Sequence, residues 1–401
     1  MEKDRVDLSS AKLSLWTNPP LLTNKKYRAL LFQIIIVVAL AFLFITIINN
    51  ILVNLEARGI STGFAFLSEP SGFAILQSMI EFDESHSYGR TFFVGLLNTL
   101  LISVLGIFFA TILGFIMGIA RLSSNWLIAK LAMVYIEVFR NIPLLLQILF
   151  WYFAVLSTLP SPRQSLSVFA GIELNVRGLY LPAPAPEAGF SLTIGVFIVT
   201  IIGIIFLHYW AHKRKQETGK EFPVFFTALG LIFVVPVMVF WLSGSPLNWD
   251  YPKLSGFNFT GGITIIPELL ALLLALTIYT GTFIAEIVRA GIMSVDHGQT
   301  EASLALGLTN GQTIRLIIIP QAMRVIIPPL TSQYLNLTKN SSLATAIGYP
   351  DLVSVFMGTT LNQTGQAVEI IAVTMAVYLI ISLLISLFMN WFNKKMALVE
   401  R

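Results

Sequence analysis

The sequence predicts an all-α polytopic membrane protein with about eight transmembrane helices. Of its 401 residues, 56% are hydrophobic and only 11% are charged, whereas soluble domains carry about 25% charged residues. A surface this apolar has to contact lipid. Eight segments are apolar over about 20 residues, the length that crosses a bilayer: 29–49, 93–119, 128–156, 191–210, 223–243, 264–287, 321–345 and 367–392.

The first apolar segment is expected to remain in the working protein. Residues 1–28, which precede it, are polar and carry six basic side chains. The apolar run 29–48 is too long for the core of a signal peptide, and no small-residue cleavage pattern follows it. We therefore interpret this run as a retained transmembrane helix, with residues 1–28 as a tail on one side of the membrane.

The loop charges predict the orientation of the chain. With eight spans, 18 Lys and Arg residues fall on the side that holds both termini. The other side holds five, which are Arg58, Arg90, Arg163, Arg177 and Lys253. Because cytoplasmic loops carry the basic excess in membrane proteins, the N-terminal tail and the C-terminal tail 393–401 are both expected in the cytoplasm.

Composition excludes several classes of function. The chain has no cysteine, which excludes disulfides, thiolate metal sites and cysteine nucleophiles. The sequence contains no Lys/Arg-rich run with interleaved aromatic residues, so nothing in it suggests nucleic acid as a partner. His208 and His212 have the i, i+4 spacing that can bind a metal, but beside Lys213, Arg214 and Lys215 they are interpreted as a basic rim at the membrane edge. We expect no catalytic, metal-binding or cofactor-binding residues.

The stretch Glu301–Arg324 is polar and punctuated by glycine, between two apolar spans. Residues 302–306 favour a helix, and Gly307 suits the left-handed position that ends one. Thr309 and Gln312 have the spacing of a capping box, which begins a second helix, and Pro320 is expected to interrupt that helix. The pattern predicts two short helices bent at a glycine. Such a loop either joins two spans at the interface or docks another protein.

These residues carry a family resemblance. Glu301-Ala302, Gly307 and Ile319-Pro320 resemble the "EAA…G…LP" loop of permease subunits in ATP-binding-cassette importers. Ser303 departs from the second alanine of that motif, a small-for-small change that is expected to be tolerated. The flanks are similar to the polar amino acid branch of the family, and the resemblance covers about 93–392: "YIEVFRNIPLLLQILFWYF" (135–153), "AEIVRAGIMSVDHGQTEA" (285–302) and "PQAMRVIIPPLTSQYLNLTKNSSLATAIG" (320–348).

The resemblance implies a type I importer permease core of five helices in a bacterial inner membrane. Against that core, residues 29–92 are expected to add one N-terminal helix and a periplasmic loop. Residues 157–262 are expected to be an insertion with two more spans, in which "LPAPAPEAGF" (181–190) has the composition of an extended linker. With this added length, the chain resembles the permeases of general L-amino acid uptake systems. That resemblance implies that the substrates are L-amino acids.

The resemblance also implies partners. A cytoplasmic ATPase would hold the loop residues in a groove, a second, related permease would complete the pore, and a periplasmic binding protein would deliver the substrate; membrane lipid surrounds the chain. ATP would bind the partner ATPase, because the sequence has no G-x-x-x-x-G-K-[ST] phosphate loop. The residues assigned to coupling are Glu301, Ala302, Ser303, Gly307 and Pro320.

Polar residues inside predicted spans suggest a translocation path or a contact with the second permease, because charges at membrane depth are costly. Glu137 and Arg140 are spaced i, i+3 and can form an ion pair. A stripe at helical spacing follows Pro328 and Pro329, which are expected to interrupt the seventh span. Because lipid does not tolerate such a stripe, it has to face protein or water; its members are Ser332, Asn336, Lys339 and Asn340.

Two other classes of function remain as alternatives. A secondary transporter driven by ions would take up amino acids without an ATPase and typically places carboxylates near the bilayer midplane. The carboxylates of this sequence cluster toward the ends of the spans, which counts against that class. A membrane scaffold without a pore predicts no polar stripe, whereas the seventh span has one.

Overall fold

The computed structural model describes residues 25–57, 59, 62–169 and 171–396. Among these residues, seven helices are long and apolar enough to cross a membrane, and one bent helix pair brings the number to eight. The first is α1 (Lys25–Ala57), which contains the predicted span 29–49. All of the α1 side chains that the structure describes are exposed. The predicted tails lie largely outside the described residues.

Two helices pack against each other along most of their length and form the centre of the molecule. They are α2 (Tyr88–Arg121) and α7 (Pro267–Met293). Glycine on α2 makes the contact close: a Cβ at Gly114 would lie 2.5 Å from Ile284 Cβ, and one at Gly118 would lie 2.6 Å from the Ala285 carbonyl oxygen. Any side chain at these positions would therefore push the two helices apart.

The third predicted span, 128–156, is not one straight helix. It consists of α3 (Trp126–Asn141) and α4 (Leu144–Leu149), which continues in helical turns to Thr158, and the two parts meet at 104°. Pro143 disfavours a helical conformation of the residue before it, and Ile142 is extended with ψ 127°. Gln147 Nε2 donates to the carbonyl oxygens of Phe139 and Ile142 at 2.8 and 3.0 Å, which satisfies groups that the bend leaves free.

The seventh span is longer than predicted and is not interrupted by its prolines. After α8 (His297–Ala305), helical backbone runs through α9 (Asn310–Thr313), five π-helical residues and α10 (Ile319–Asn340) to Ile347. Pro320 is the second residue of α10, two positions after the last π-helical residue. A widened turn beside a proline tolerates the hydrogen bond that is lost because proline has no N–H. Pro328 and Pro329 lie inside α10. Their neighbours Ile326, Ile327 and Leu330 are buried, so tertiary packing holds the helix together.

The segment between the last two spans folds back into the bundle. Gly348, at φ +77°, ends the helical path of the seventh span, and a π-helical stretch (Val353–Thr360) follows after a short turn. Next come α11 (Leu361–Thr364), Gly365 and α12 (Ala367–Met396), which contains the predicted eighth span.

The insertion forms a helical hairpin of α5 (Phe190–Thr218) and α6 (Val224–Leu242), which matches the predicted spans 191–210 and 223–243. The two helices pack on each other, and most of their other side chains are exposed. The segments before and after the hairpin fold together as short antiparallel strands, which the all-α expectation did not include.

Four of these strands form one sheet in the order β1-β2-β3-β8, and the others form two hairpin-like pairs, β4 with β5 and β6 with β7. The proline-rich stretch is therefore not a linker, because Pro184 and Pro186 belong to β4 and pair with β5. Two-stranded ribbons tolerate proline, since both strands are edges. The strands are β1 (Leu166–Phe169), β2 (Ile172–Asn175), β3 (Gly178–Leu181), β4 (Ala183–Pro186), β5 (Leu247–Asp250), β6 (Lys253–Ser255), β7 (Asn258–Thr260) and β8 (Ile263–Ile265).

Two apolar clusters hold the bundle together. The larger one joins α2, α4, α7 and α10 through side chains that are fully buried, including Ile102, Ile148, Leu276, Ile327 and Leu337. The smaller one joins the beginning of α2 to the segment between the last two spans: Phe66, Tyr88, Leu352, Phe356 and Ile370.

Candidate functional site: a polar loop and an uncovered polar helix face

The polar loop folds in part as predicted: α8 is a short helix followed by a glycine, but the second helix is the beginning of the long seventh span and not a separate short helix. Asp296 precedes α8, and its Oδ1 accepts a hydrogen bond of 2.7 Å from the Gly298 N–H. After α8 ends, Gly307 adopts φ +80°. The capping box is also present: the Thr309 side chain accepts from the Gln312 N–H, and the Gln312 side chain accepts from the Thr309 N–H.

Ser303 has a larger part in this loop than the sequence suggested. Its side chain is buried, and its Oγ donates to the Thr300 carbonyl oxygen at 2.8 Å. The Thr313 Oγ1 lies 2.9 Å from the same Ser303 oxygen. Because a hydroxyl has a single proton, Thr313 is the donor in that second bond. The bond ties α8 to α9 across the glycine. The sequence signal for it is weak, because α8 carries two hydroxyl residues, Thr300 and Ser303, and spacing does not show which of them meets Thr313.

The outer surface of the loop combines acidic and apolar groups. Glu301 and Ala302 are exposed, and Glu301 Oε1 lies 3.1 Å from His297 Nδ1. Leu304 and Leu306 are also exposed, Leu306 at 83%. Exposed leucines beside polar groups suit a surface that a protein partner covers. Pro320 is half-buried at the start of α10, so it supports the base of the loop and is not part of this surface.

The predicted ion pair between Glu137 and Arg140 is wrong. Both side chains are exposed on α3, and no ion pair joins them in the described part of the chain. The Arg140 guanidinium instead lies 5.5 Å from the centre of the Phe283 ring on α7, where a cation–π contact competes with the local pairing. Nearby on α7, Glu286 forms an ion pair with Arg289, and its Oε1 accepts a hydrogen bond of 3.0 Å from Arg289 Nε.

The predicted polar stripe lies on a face of α10 that the described residues leave largely uncovered. Ser332, Asn336 and Lys339 are exposed, and Asn340 is half-buried. Among the described residues, Lys339 has no ion pair. Lys339 also lines a cleft between the end of α10 and α12. Three of the four members of the stripe are therefore not covered by the described part of this chain.

Sequence reasoning missed one buried carboxylate, Asp351, in the turn between the last two spans. Its side chain is fully buried, Oδ1 accepts from the Ser354 N–H at 2.8 Å, and the Tyr378 hydroxyl lies 3.4 Å from Oδ2. Asn98 Nδ2 donates to the neighbouring Pro350 carbonyl oxygen at 2.9 Å. These contacts fix the turn on α2, so Asp351 has a structural role within this chain.

The paired histidines lie in the C-terminal part of α5, on the way to the tip of the α5–α6 hairpin. His208 and His212 line a small cleft with Lys215 and Glu221, and Lys215 Nζ lies 2.6 Å from Glu221 Oε1. The Lys215 ammonium holds the pKa of the Glu221 carboxyl below its usual range. No cluster of three or more metal-ligating side chains is found in the described ranges.

Several apolar spans, a folded polar loop and a polar helix face that the described part of the chain leaves uncovered are typical of a membrane transport subunit. Residues 216–398 match the family described as "Binding-protein-dependent transport system inner membrane component". This chain belongs to that family, whose members are multi-pass proteins of the inner membrane and are not themselves enzymes.

Three curated relatives are similar over nearly the whole chain. A putative amino-acid ABC transporter permease protein, YhdX of Escherichia coli (strain K12), is 55% identical over 94% of this chain and 96% of its own length. The general L-amino acid transport system permease protein AapQ of Rhizobium johnstonii is 51% identical over 100% of both chains. The glutamate/glutamine/aspartate/asparagine transport system permease protein BztB of Rhodobacter capsulatus is 40% identical over 97% of this chain and 100% of its own.

Proposed function

We propose that this chain is a permease subunit of an ATP-driven, binding-protein-dependent importer that moves L-amino acids across the inner membrane. The observation that carries the proposal is the full-length similarity, at 51% identity, to a permease of a general L-amino acid system. The names of the other two relatives also refer to amino acids. A broad substrate range follows from the similarity to the general system.

The loop of α8, Gly307 and α9 is the site where a cytoplasmic ATPase couples to the membrane. Glu301, Ala302, Leu304 and Leu306 present a small acidic and apolar surface to that partner. Ser303 and Gly307 set the direction of α8, and Pro320 lies where the loop joins the long helix. The ATP is bound and hydrolysed on the partner, so this chain needs no cofactor of its own. Movement of the loop is transmitted to the spans and alternates access to the path.

The path lies on the uncovered face of α10, where a second, related permease completes it. Ser332, Asn336, Lys339 and Asn340 line this path, and Glu137 and Arg140 lie on α3 at the contact with the second permease or along the route. Both termini and the polar loop lie in the cytoplasm. The periplasmic binding protein then docks on the opposite side, where residues 62–87 and the strands of the insertion lie. Residues 93–392 contain the transport core, with 29–92 and 157–262 as additions.

The test compares Gly307→Asp with wild type in proteoliposomes that contain the complete transporter and its binding protein. Aspartate at φ +80° is strained and adds a charge to the coupling surface. We expect uptake of labelled amino acid to fall at least about tenfold, with loss of coupling between ATP hydrolysis and transport, while the ATPase still co-purifies.

Gly219→Asp is the matched control, because Gly219 also ends a helix at positive φ with open space around it, but at the tip of the α5–α6 hairpin. It should transport as wild type does. If Gly307→Asp transports normally, the loop is only a connector. If wild type takes up amino acids without ATP, an ion-coupled secondary transporter replaces the importer.

A further inference from the structure

We propose that the small cleft at the tip of the α5–α6 hairpin is a lipid site that binds a zwitterionic phosphoethanolamine headgroup from the adjacent leaflet of the membrane. The cleft has a volume of about 270 Å³. Its polar lining consists of His208, His212, Lys215 and Glu221. The site lies outside the coupling loop and the path, and its occupation does not depend on the proposed function.

The cleft forms where one face of α5 meets the arm that leads into α6. His208, His212 and Lys215 follow each other at intervals of four and three residues, which places their side chains on one face of the helix. Glu221 comes from the other arm, and its Oε1 lies 2.6 Å from Lys215 Nζ. The cleft therefore has two imidazoles and an ammonium on one wall, and a carboxylate on the other.

The lengths of the two helices place this cleft at the level of the lipid headgroups. Val224 lines the cleft and begins α6, whose 19 residues extend about 28 Å, close to the apolar thickness of a bilayer. The edge of the apolar core therefore lies near Val224, and Glu221 lies beyond it. The 29-residue α5 is about 43 Å long, so about 13 Å of it extends past the core at the same end.

Aromatic side chains support this depth. Trp210 packs edge-on against Phe222, with ring centres 5.5 Å apart, and this contact joins α5 to the other arm of the tip. The Arg214 guanidinium lies 5.2 Å from the centre of the Trp210 ring, and the neighbouring Tyr209 is 70% exposed. Because Trp and Tyr are enriched where a membrane meets water, a group that occupies a cleft at this level is a lipid headgroup.

The charges of the lining match a zwitterion. Lys215 supplies one positive charge and Glu221 one negative charge. The Lys215 ammonium lowers the pKa of the Glu221 carboxyl, so that this group remains ionised. An anionic headgroup without an amine would bring a second negative charge to the Glu221 carboxylate. A headgroup that carries both a phosphate and an ammonium satisfies both walls of the cleft.

The side chains have hydrogen-bonding capacity left for such a headgroup. An ammonium has three protons and a carboxylate about four acceptor sites, so Lys215 and Glu221 can each bind a ligand while they remain paired. Among the described residues, the His208 and His212 side chains have no hydrogen-bond partner. Each imidazole has at least one N–H. The lipid phosphate then accepts from the imidazoles and Lys215, and the lipid ammonium donates to Glu221.

The apolar part of the hairpin accommodates the rest of the lipid. Ala211, Phe222 and Val224 complete the lining of the cleft. Further into the membrane, the hairpin exposes large apolar side chains on both helices, such as Phe206 on α5 and Phe225 on α6. Acyl chains attached to a headgroup in the cleft would cover part of this exposed surface.

The experiment measures lipid binding by native mass spectrometry to the purified full-length protein with the subunits that co-purify with it. The lipids are phosphatidylethanolamine, phosphatidylcholine and phosphatidylglycerol with identical acyl chains. In wild type, phosphatidylethanolamine should bind about three- to tenfold more tightly than phosphatidylcholine, whose methylated ammonium has no proton to donate to Glu221. Glu221→Gln should remove this preference. Lys215→Met should weaken all three lipids by a similar factor, because each carries the phosphate.

Glu217→Gln is the matched control, because it removes a carboxylate that pairs with Lys213 at the same end of α5 but does not line the cleft. It should keep the preference. Equal affinity of wild type for the ethanolamine and choline lipids, or an unchanged preference in Glu221→Gln, would overturn the site. So would tighter binding of phosphatidylglycerol that increases further in Glu221→Gln, which would identify a general site for anionic lipids. Loss of a co-purifying subunit from Glu221→Gln would likewise overturn it and identify a protein contact.

Discussion

At the scale of single residues, the hydroxyl pair of Ser303 and Thr313 joins the two helices of the polar loop. Both side chains are almost completely buried, at 3% and 2% exposure, and their oxygens are 2.9 Å apart. Gly307 has open space around it, so this glycine does not by itself fix the angle between α8 and the helix that begins with α9. The hydroxyl contact removes that freedom, so a displacement of α8 is passed to α9 and to the long helix behind it.

Ser303→Ala is therefore expected to reduce the number of amino acids imported per ATP hydrolysed, because the loop can bend without moving the spans. The loss of a buried hydrogen bond with one partner left unsatisfied costs about 1–3 kcal/mol. The ratio of uptake to ATP hydrolysis in proteoliposomes measures the effect. Thr313→Val should act similarly, and the double variant should be little worse than either single one.

Ser124→Ala serves as the control, since Ser124 is exposed in the turn between α2 and α3. An unchanged ratio in Ser303→Ala would show that the contact is not needed for coupling. Additive losses in the double variant would show that the two hydroxyls act independently of each other.

The residue scale also shows a limit of sequence reasoning. Spacing alone correctly placed Glu137 and Arg140 on one helix face. It could not show that the Arg140 guanidinium would make a cation–π contact with Phe283 instead of an ion pair with Glu137. In the same way, Asp351 lies in a turn that carries no periodic pattern, and only the fold buries it against α2 and α12. Local spacing predicts which groups can meet, and tertiary contacts decide which of them do.

At the scale of helices, the prolines show why the positions of the spans were predicted better than their shapes. Pro143 produces a 104° bend, whereas Pro328 and Pro329 leave α10 continuous. The difference comes from the surroundings: Gln147 satisfies the carbonyl groups at the bend, and buried isoleucines flank the proline pair. The positions of the spans followed from apolar length, but the shape of each span depends on packing that the sequence does not display.

The contact between α2 and α7 leads to a prediction about assembly of the core. Gly118→Leu would place side-chain atoms where the Ala285 carbonyl oxygen and Val288 now lie. Overpacking of this kind costs about 1–3 kcal/mol. We expect a lower melting temperature and a lower yield of the intact complex, measured by thermal unfolding in detergent.

Gly203→Leu is the matched control on α5, where a Cβ would meet nothing within 4 Å. It should leave the melting temperature within about 2 °C of wild type, as surface substitutions have small effects. A wild-type melting temperature for Gly118→Leu would show that α2 and α7 are not closely packed in the assembled transporter.

At the scale of the whole molecule, the sequence predicted the two helices of the insertion but not its strands. Apolar length identified α5 and α6, because each contains about 20 largely apolar residues. The strands are three or four residues long and come from two segments that the hairpin separates, so β3 pairs with β8 across more than 80 residues. No local sequence pattern predicts such a pairing. The prolines of β4 led to the prediction of a linker where the structure has a paired strand.

The orientation of the chain can be tested with single cysteines, because the sequence has none of its own. Lys220 lies at the tip of the α5–α6 hairpin, and Phe257, with 75% exposure, lies between β6 and β7 at the other end. The 29-residue α5 separates these two ends by about 43 Å, which exceeds the apolar thickness of a bilayer. The positive-inside rule places the hairpin tip in the cytoplasm.

A membrane-impermeant thiol reagent applied to intact cells, with the outer membrane permeabilised, should therefore label Phe257→Cys but not Lys220→Cys. After the inner membrane is opened, both variants should be labelled to similar extents. The cysteine-free parent provides the background, and uptake of labelled amino acid confirms that each variant is assembled. Labelling of Lys220→Cys from outside would invert the topology, and it would place the polar loop of Glu301 and Gly307 where no cytoplasmic ATPase can reach it.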